Sequence, residues 1–273
     1  MSDPAETELR AYVEVWWHSV CDFVDLAATI PAEQWSTPTD LPGWDVRAVV
    51  SHVAHLEGIL GGAPREDAEV PDAPHIVNAM GRFTEIGVIT RREADPAAIV
   101  AEIRRYGAAR HDALLADPPT DPDAPAPGIF GAIGWNTRTL LRNRPLDVAM
   151  HEQDVRRAIG RPGNLDSPGA RHSADYLLGS LGYVLGKRAK AEAGSTLVVE
   201  VADHRPAAVT VDDSGRGVAL AEPPAEPTVA LRMDRETFLL LAGGRRPQAA
   251  ERVAVTGDAD LAARVLAAMG VMV

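Results

Sequence analysis

Asp147, His151 and Asp154 follow one another at spacings of four and three in the stretch RPLDVAMHEQDVRRAIGRPG, residues 144–163. On a helix those spacings stack the three side chains on one side, a turn apart. Val148, Val155, Ala158 and Ile159 share or border that side, so it is expected to turn inward. Acids on an inward face are costly unless something pairs them or binds them. A second segment, VVSHVAHLEG, places His52 three residues after Val49 and four before Leu56, within an apolar stripe, with His55 nearer its edge. An acid and a histidine at i and i+4, facing a histidine from another helix, can build a metal site inside a bundle. Zinc accepts two imidazoles and one carboxylate and keeps a fourth position for water or substrate. Asp154, one turn beyond His151, is placed to fix a ring nitrogen or a nearby arginine. The spacing D-x-x-x-H is common by chance, so the residues alone also allow a polar helix face solvated at the end of the bundle.

These side chains need helices to hold them, and the apolar periodicity supplies several. A long helix is expected over 5–30, with Tyr12, Val13, Trp16, Val20, Phe23 and Val24 recurring at threes and fours. STPTDLPG breaks it. Asp45 is then a candidate N-cap for a helix running to about Gly58, and further helices are expected near 76–91 and from Asp95-Pro96 to about Leu115. Pro145 suits the first turn of the helix carrying Asp147, and Gly160 its end. One more helix is expected over 168–189. Beyond residue 194 the period changes: TLVVEV, AAVTVDD, GVALAE, PTVALRM and RVAVTG read as short strands, with DRETFLLLAGG and DADLAARVLAAM as helices. The expected division is a helical bundle over 1–192 and an α+β module over 193–273.

The 273 residues include 46% apolar and 24% charged side chains, the proportions of a globular protein. The formal net charge of −12 argues against nucleic acid and anionic membranes as partners. No apolar run reaches the ~18–20 residues that span a bilayer, and MSDPAETELR lacks the features of a signal peptide, so a cytoplasmic location is expected. Cys21 is the only cysteine, which excludes an internal disulfide and a thiolate cluster. It reads as a small buried hydrophobe, so thiol chemistry would need a thiol from outside. His18 has nothing nearby to complete a site, and His75, His111, His172 and His204, in or beside loops, are expected to be solvated. Phosphate-loop spacings and the signatures G-x-S-x-G, H-E-x-x-H and G-x-G-x-x-G are absent.

TPTDLPGWDVRAVVSHVAHLEG and RPLDVAMHEQDVRRAIGRPG together resemble the two metal-binding segments of the mycothiol-dependent maleylpyruvate isomerase family. The first matches that family's Pro-Gly-Trp turn leading to a metal histidine, the second its later metal helix. The resemblance implies a two-domain α plus α/β chain: a DinB-like four-helix bundle followed by a smaller α+β, sterol-carrier-like domain. It implies His52, Asp147 and His151 as ligands of a divalent metal, most simply Zn2+, with mycothiol as the thiol cofactor. The isomerase uses a glutamate where this chain has Asp147, one methylene shorter, so the helix must approach the metal more closely. The family's functional arginine, in a Gly-Arg turn facing the metal, matches Arg245 in LLLAGGRRPQ better than Arg246. Arg245 is thereby implied in catalysis, and Asp154 and Arg245 in cofactor binding. The implied partners are a low-molecular-weight thiol and a small electrophilic substrate, in thiol transfer or cis–trans isomerisation, and an actinobacterial source fits the Ala-, Arg-, Asp- and Pro-heavy usage. Two other readings stand beside it: a metal-dependent hydrolase on the same bundle, and a non-enzymatic protein holding a small apolar ligand.

Overall fold

Each apolar stripe in the first half of the chain becomes a helix with a recognisable start. The computed structural model describes residues 3–272. Helix α1 spans Pro4–Ala27, α2 Val46–Leu60, α3 Ala79–Thr90, α4 Pro96–Ala116, α5 Gly128–Ala132 and α6 Thr137–Ala158. Asp3 and Asp95 cap helices that open on a proline, and Asp45 accepts a 2.8 Å hydrogen bond from the Ala48 N–H. Each carboxylate satisfies a backbone donor that has no partner within its own helix.

Helices α1, α2, α4 and α6 form the expected four-helix bundle: α1 packs on α6 and α4, and α2 on α4 and α6, while α3 lies against α2. Trp16, Phe23, Val50, Val53, Ile103 and Val148 are among the residues that fill its centre. Almost all of α2 is buried, because neighbours cover it on three sides.

Helix α6 departs from expectation. It starts at Thr137, capped by the Asn136 side chain at 2.9 Å from the Thr139 N–H, and runs through Pro145. A proline there removes the hydrogen bond to the Leu141 carbonyl and should disfavour the helix. Leu140, Leu141, Leu146, Val148 and Ala149 are all buried, and that packing outweighs the local penalty. Gly160, at φ +67°, ends the helix as the sequence indicates.

The chain divides into compact units after Gly169, so residues 170–192 group with the strands and not with the bundle, contrary to the expected boundary at 192/193. The segment expected as one helix over 168–189 is α7, Pro168–Leu178, followed by a turn and a π-helix over Tyr183–Arg188. Gly182 and Gly186 account for the grouping. A Cβ on either would lie 2.7 Å from the backbone of Gly217, so this stretch presses against a strand of the second unit.

In that unit, β1 (Thr196–Val201), β2 (Ala207–Val211), β3 (Gly217–Leu220), β4 (Val229–Met233) and β5 (Ala254–Gly257) form one sheet in the order β3-β2-β1-β4-β5. The β1–β4 pair is parallel, with Leu197 opposite Val229, and the other pairs are antiparallel. The parallel pair needs a crossover, and β2 and β5 cover its two edges. Helices α8 (Arg235–Ala242) and α9 (Ala259–Ala268) complete the α+β unit, and α9 packs on β4 and β5.

Candidate metal centre

Helices α2 and α6 bring His52, Asp147 and His151 together. Each offers one ligand atom, and these atoms lie within 4.8 Å of one another. His52 Nε2 is 3.5 Å from Asp147 Oδ2, His151 Nε2 is 3.7 Å from Asp147 Oδ1, and the two imidazole centroids are 4.7 Å apart. These separations are too long for good hydrogen bonds and short enough for a shared cation. Among the described residues, both ring nitrogens of His52 are buried without a hydrogen-bond partner. A buried imidazole with neither nitrogen engaged is unfavourable, and a cation held through one nitrogen relieves that cost. The donor set and the orphaned ring therefore fit a divalent ion.

The electrostatics prepare the three side chains for that ligation. Burial pushes the His52 imidazole down to about 4 against the upward pull of Asp147, so at neutral pH the ring carries a free lone pair. Burial pushes the Asp147 carboxyl up, but Arg144, His52 and His151 outweigh it and hold the group well below the usual carboxylate range. His151 Nδ1 lies 3.2 Å from Asp154 Oδ2, and Arg157 donates to the other Asp154 oxygen. With Nδ1–H donated to Asp154, the lone pair of His151 sits on Nε2, beside Asp147. Asp154 is fully buried against His151 and Arg157, the placement expected for a residue that fixes a ring nitrogen or a nearby arginine.

Several contributing residues were not identified from the sequence. Arg144, one turn before Asp147, donates at 2.9 Å to Asp147 Oδ2 and at 2.6 and 3.2 Å to Glu57 Oε1. Glu57 is fully buried, and Trp16 Nε1 donates to its other oxygen at 3.1 Å. Burial pulls the Arg144 guanidinium down, and the two carboxylates more than offset it. The i,i+3 spacing of Arg144 and Asp147 was available in the sequence, whereas Glu57 lies 87 residues away and carried no signal.

Trp44, from the Pro-Gly-Trp turn, packs its ring 5.0 Å from His52 and 6.0 Å from His151, and its Nε1 donates to Glu85 at 3.0 Å. Gly43 is required there: its φ is +83°, and a Cβ would fall 2.4 Å from His75 Nδ1.

The other histidines are placed elsewhere. His55 is buried, with Nδ1 3.0 Å from Glu66. The four expected to be solvated are all engaged: His75 Nε2 lies 3.5 Å from Glu85, His111 stacks on Trp17, the His172 ring is 6.3 Å from that of Tyr176, and the His204 ring lies between Asp175 and Arg235. Half-buried Cys21 has its thiol pushed up by burial and by Asp25 and Asp22, which makes it a poor nucleophile. Arg245 is buried in the second unit and donates to the Gly243 carbonyl at 2.6 Å. Its turn needs Gly244, at φ +69°.

A four-helix bundle with two imidazoles and a carboxylate converging between α2 and α6, followed by a small mixed-sheet unit, defines a two-domain class. Comparison with protein-family models matches residues 10–156 to the mycothiol maleylpyruvate isomerase N-terminal domain and residues 171–264 to the MDMPI C-terminal domain. The chain belongs to this family of enzymes. Among solved structures, it is similar to two crystal structures of the mycothiol-dependent maleylpyruvate isomerase, one of them a histidine-to-alanine mutant. The mutant is 15% identical with a TM-score of 0.55, and the other 17% identical with a TM-score of 0.54. Each match covers 91% of this chain and 92% of the other, and establishes the shared fold. No curated protein sequence matches significantly. No helix among the described residues is long and apolar enough to cross a membrane.

Proposed function

We propose that this protein is a metal-dependent enzyme that uses mycothiol, or a thiol like it, to isomerise a small electrophilic substrate. The observation that carries the reading is His52, whose two ring nitrogens lie buried and unpartnered beside Asp147 and His151. Family membership supports the thiol and the reaction class. His52 and His151 act as neutral donors and Asp147 as the anionic ligand of a divalent ion, for which zinc suits the donor set. Bound together, metal and thiol supply a nucleophilic sulfur at neutral pH for an electrophilic carbon, because the ion lowers the thiol's pKa.

The chain's own residues make that chemistry possible. Arg144 holds Asp147 ionised and fixes one of its oxygens. Asp154 sets the His151 tautomer and ring angle. Trp44 covers the two imidazoles with an apolar face, which limits water and strengthens the local electrostatics. Arg245 is assigned the negative group of substrate or thiol cofactor, on its match to the family's Gly-Arg turn.

The direct test is metal analysis of protein purified without chelator, followed by assays of a panel of small cis-configured electrophiles with and without mycothiol. The expected result is close to one divalent ion per chain and turnover only when the thiol is added. Turnover equal without thiol would replace this reading with metal-bound-water hydrolysis.

A further inference from the structure

The bundle carries a cleft lined from the end of α2, the end of α4 and the start of α6, with none of His52, Asp147 and His151 in its walls. It has a volume of about 450 Å³, within the range of small-ligand pockets. Leu60, Leu114, Leu140 and Leu141 give it apolar walls, and Arg110 and Asp117 are its charged lining residues. Arg110 is the anomaly. Its residue is only 6% exposed, its guanidinium sits over the Trp16 ring at 4.3 Å, and its nearest acid, Glu57 Oε2, is 3.5 Å away. Among the described residues, Nη1 is buried without a hydrogen-bond partner.

Glu57 satisfies Arg110 only in part: its Oε1 accepts two bonds from Arg144, its Oε2 accepts one from Trp16, and Arg110 Nη1 faces that second oxygen at a long 3.5 Å. Asp147, the other acid bonded to Arg144, belongs to the metal group. The two guanidiniums thus share Glu57, and Arg110, without the second carboxylate that Arg144 has in Asp147, is the less neutralised of them. A buried cation with an unmade hydrogen bond, lining an apolar cleft, is the arrangement that binds an anionic head with an apolar tail.

We infer that this cleft is a binding site for a small apolar monocarboxylate, its carboxylate on Arg110 and its chain against Leu60, Leu114 and Leu140. Burial lowers the Arg110 guanidinium to about 10, so it remains charged at neutral pH. Asp117 restricts the choice further: an exposed carboxylate on the same cleft repels a second anionic group, which disfavours dicarboxylates.

The test is calorimetric titration of the full-length protein with octanoate. The expected result is saturable binding of one molecule per chain, the same in metal-loaded and chelator-treated protein. Octanol, which lacks the charge, and octanedioate, which carries a second one, should each bind at least about tenfold more weakly. Ala113→Trp adds bulk to the cleft lining from an exposed position on α4 and leaves every charge in place; it should abolish binding with the thermal midpoint kept. Arg110→Met should also abolish it, and Ala113→Trp keeps the test valid if that variant does not fold. No saturable heat, octanol binding as tightly as octanoate, binding that survives Ala113→Trp, or binding lost on chelation would each overturn the inference.

Discussion

His52 and His55 lie one turn apart on α2, both buried, in opposite states. His55 is held through Nδ1 by Glu66, which also accepts from Thr90 at 2.9 Å and from Arg91, while Arg91 reaches on to Glu102. That cluster joins the loop after α2 to α3 and α4, and only His55 Nε2 is left without a partner. His52 has neither nitrogen engaged, although two potential partners lie within 5 Å. The first ring is anchored through one nitrogen with one bond unmade, and the second has both bonds unmade. Histidine burial therefore does not mark a functional site by itself; the number of unmade bonds does.

The largest expected effect separates the two histidines. His52→Ala should abolish stoichiometric metal binding and lower kcat/KM by about a thousandfold or more, a loss of roughly 4 kcal/mol in transition-state stabilisation. The thermal midpoint of the chelator-treated variant should be at or above wild type, since a buried ring with unmade bonds is removed. His55→Ala should do the reverse, keeping metal content and losing roughly 1–3 kcal/mol of stability in urea unfolding, through the cavity and the lost Glu66 contact. If His55→Ala lost the metal while His52→Ala kept it, the assignments of the two rings would be exchanged.

Arg144 connects the metal group to the interior, so it should affect both properties. Arg144→Met leaves Glu57 buried with only Trp16 and, at 3.5 Å, Arg110, removes the arginine partner of Asp147, and should cost about 3–5 kcal/mol of unfolding free energy. A loss below about 1 kcal/mol would show that Arg110 and Trp16 hold Glu57 without Arg144. Asp154→Asn is a smaller change in the same region. It keeps the shape and weakens the hold on the His151 tautomer, so metal affinity measured by chelator competition should fall about 10- to 100-fold. Unchanged affinity would remove Asp154 from any part in the site.

The smallest effect belongs to the satisfied cluster. Burial pushes Glu66 up, but hydrogen bonds from His55, Arg91 and Thr90 outweigh it and bring it down to about 2 from the ordinary 4.5. A carboxylate depressed in the folded state adds stability that is full above about pH 4.5 and is lost as pH falls through about 2. The urea midpoint should therefore decline across that window, and Glu66→Gln should flatten the decline relative to wild type. Parallel curves for the two proteins would show that the cluster contributes nothing specific to acid stability.

The same contrast separates what was legible in the sequence from what was not. Local signals held: the Asp45 cap, the stripe bearing His52, the i,i+4 pair of Asp147 and His151, and each strand from Thr196 onward. Pro145 misled, because its local penalty is outweighed by buried leucines that lie in α6 but make their contacts across the bundle. The glycines at 182 and 186 read as parts of a helix until Gly217, over thirty residues later, supplies the reason for their small size. Glu57, Arg110 and Arg144 form a buried ion network across three helices, and no spacing in the sequence links them. The candidate metal group could be read because two of its residues share a helix, as Asp154 does with them, whereas Glu57, from another helix, could not.

The central claim is that His52, Asp147 and His151 hold a metal with a position free for an external thiol. Substituting Co2+ for the native ion and titrating with mycothiol tests it most directly, because sulfur ligation produces a near-ultraviolet charge-transfer band that oxygen or nitrogen ligation does not. The expected result is a band that saturates at one thiol per cobalt in wild type and in His55→Ala, and is absent in His151→Ala. Cobalt bound stoichiometrically with no band at any thiol concentration would contradict the claim.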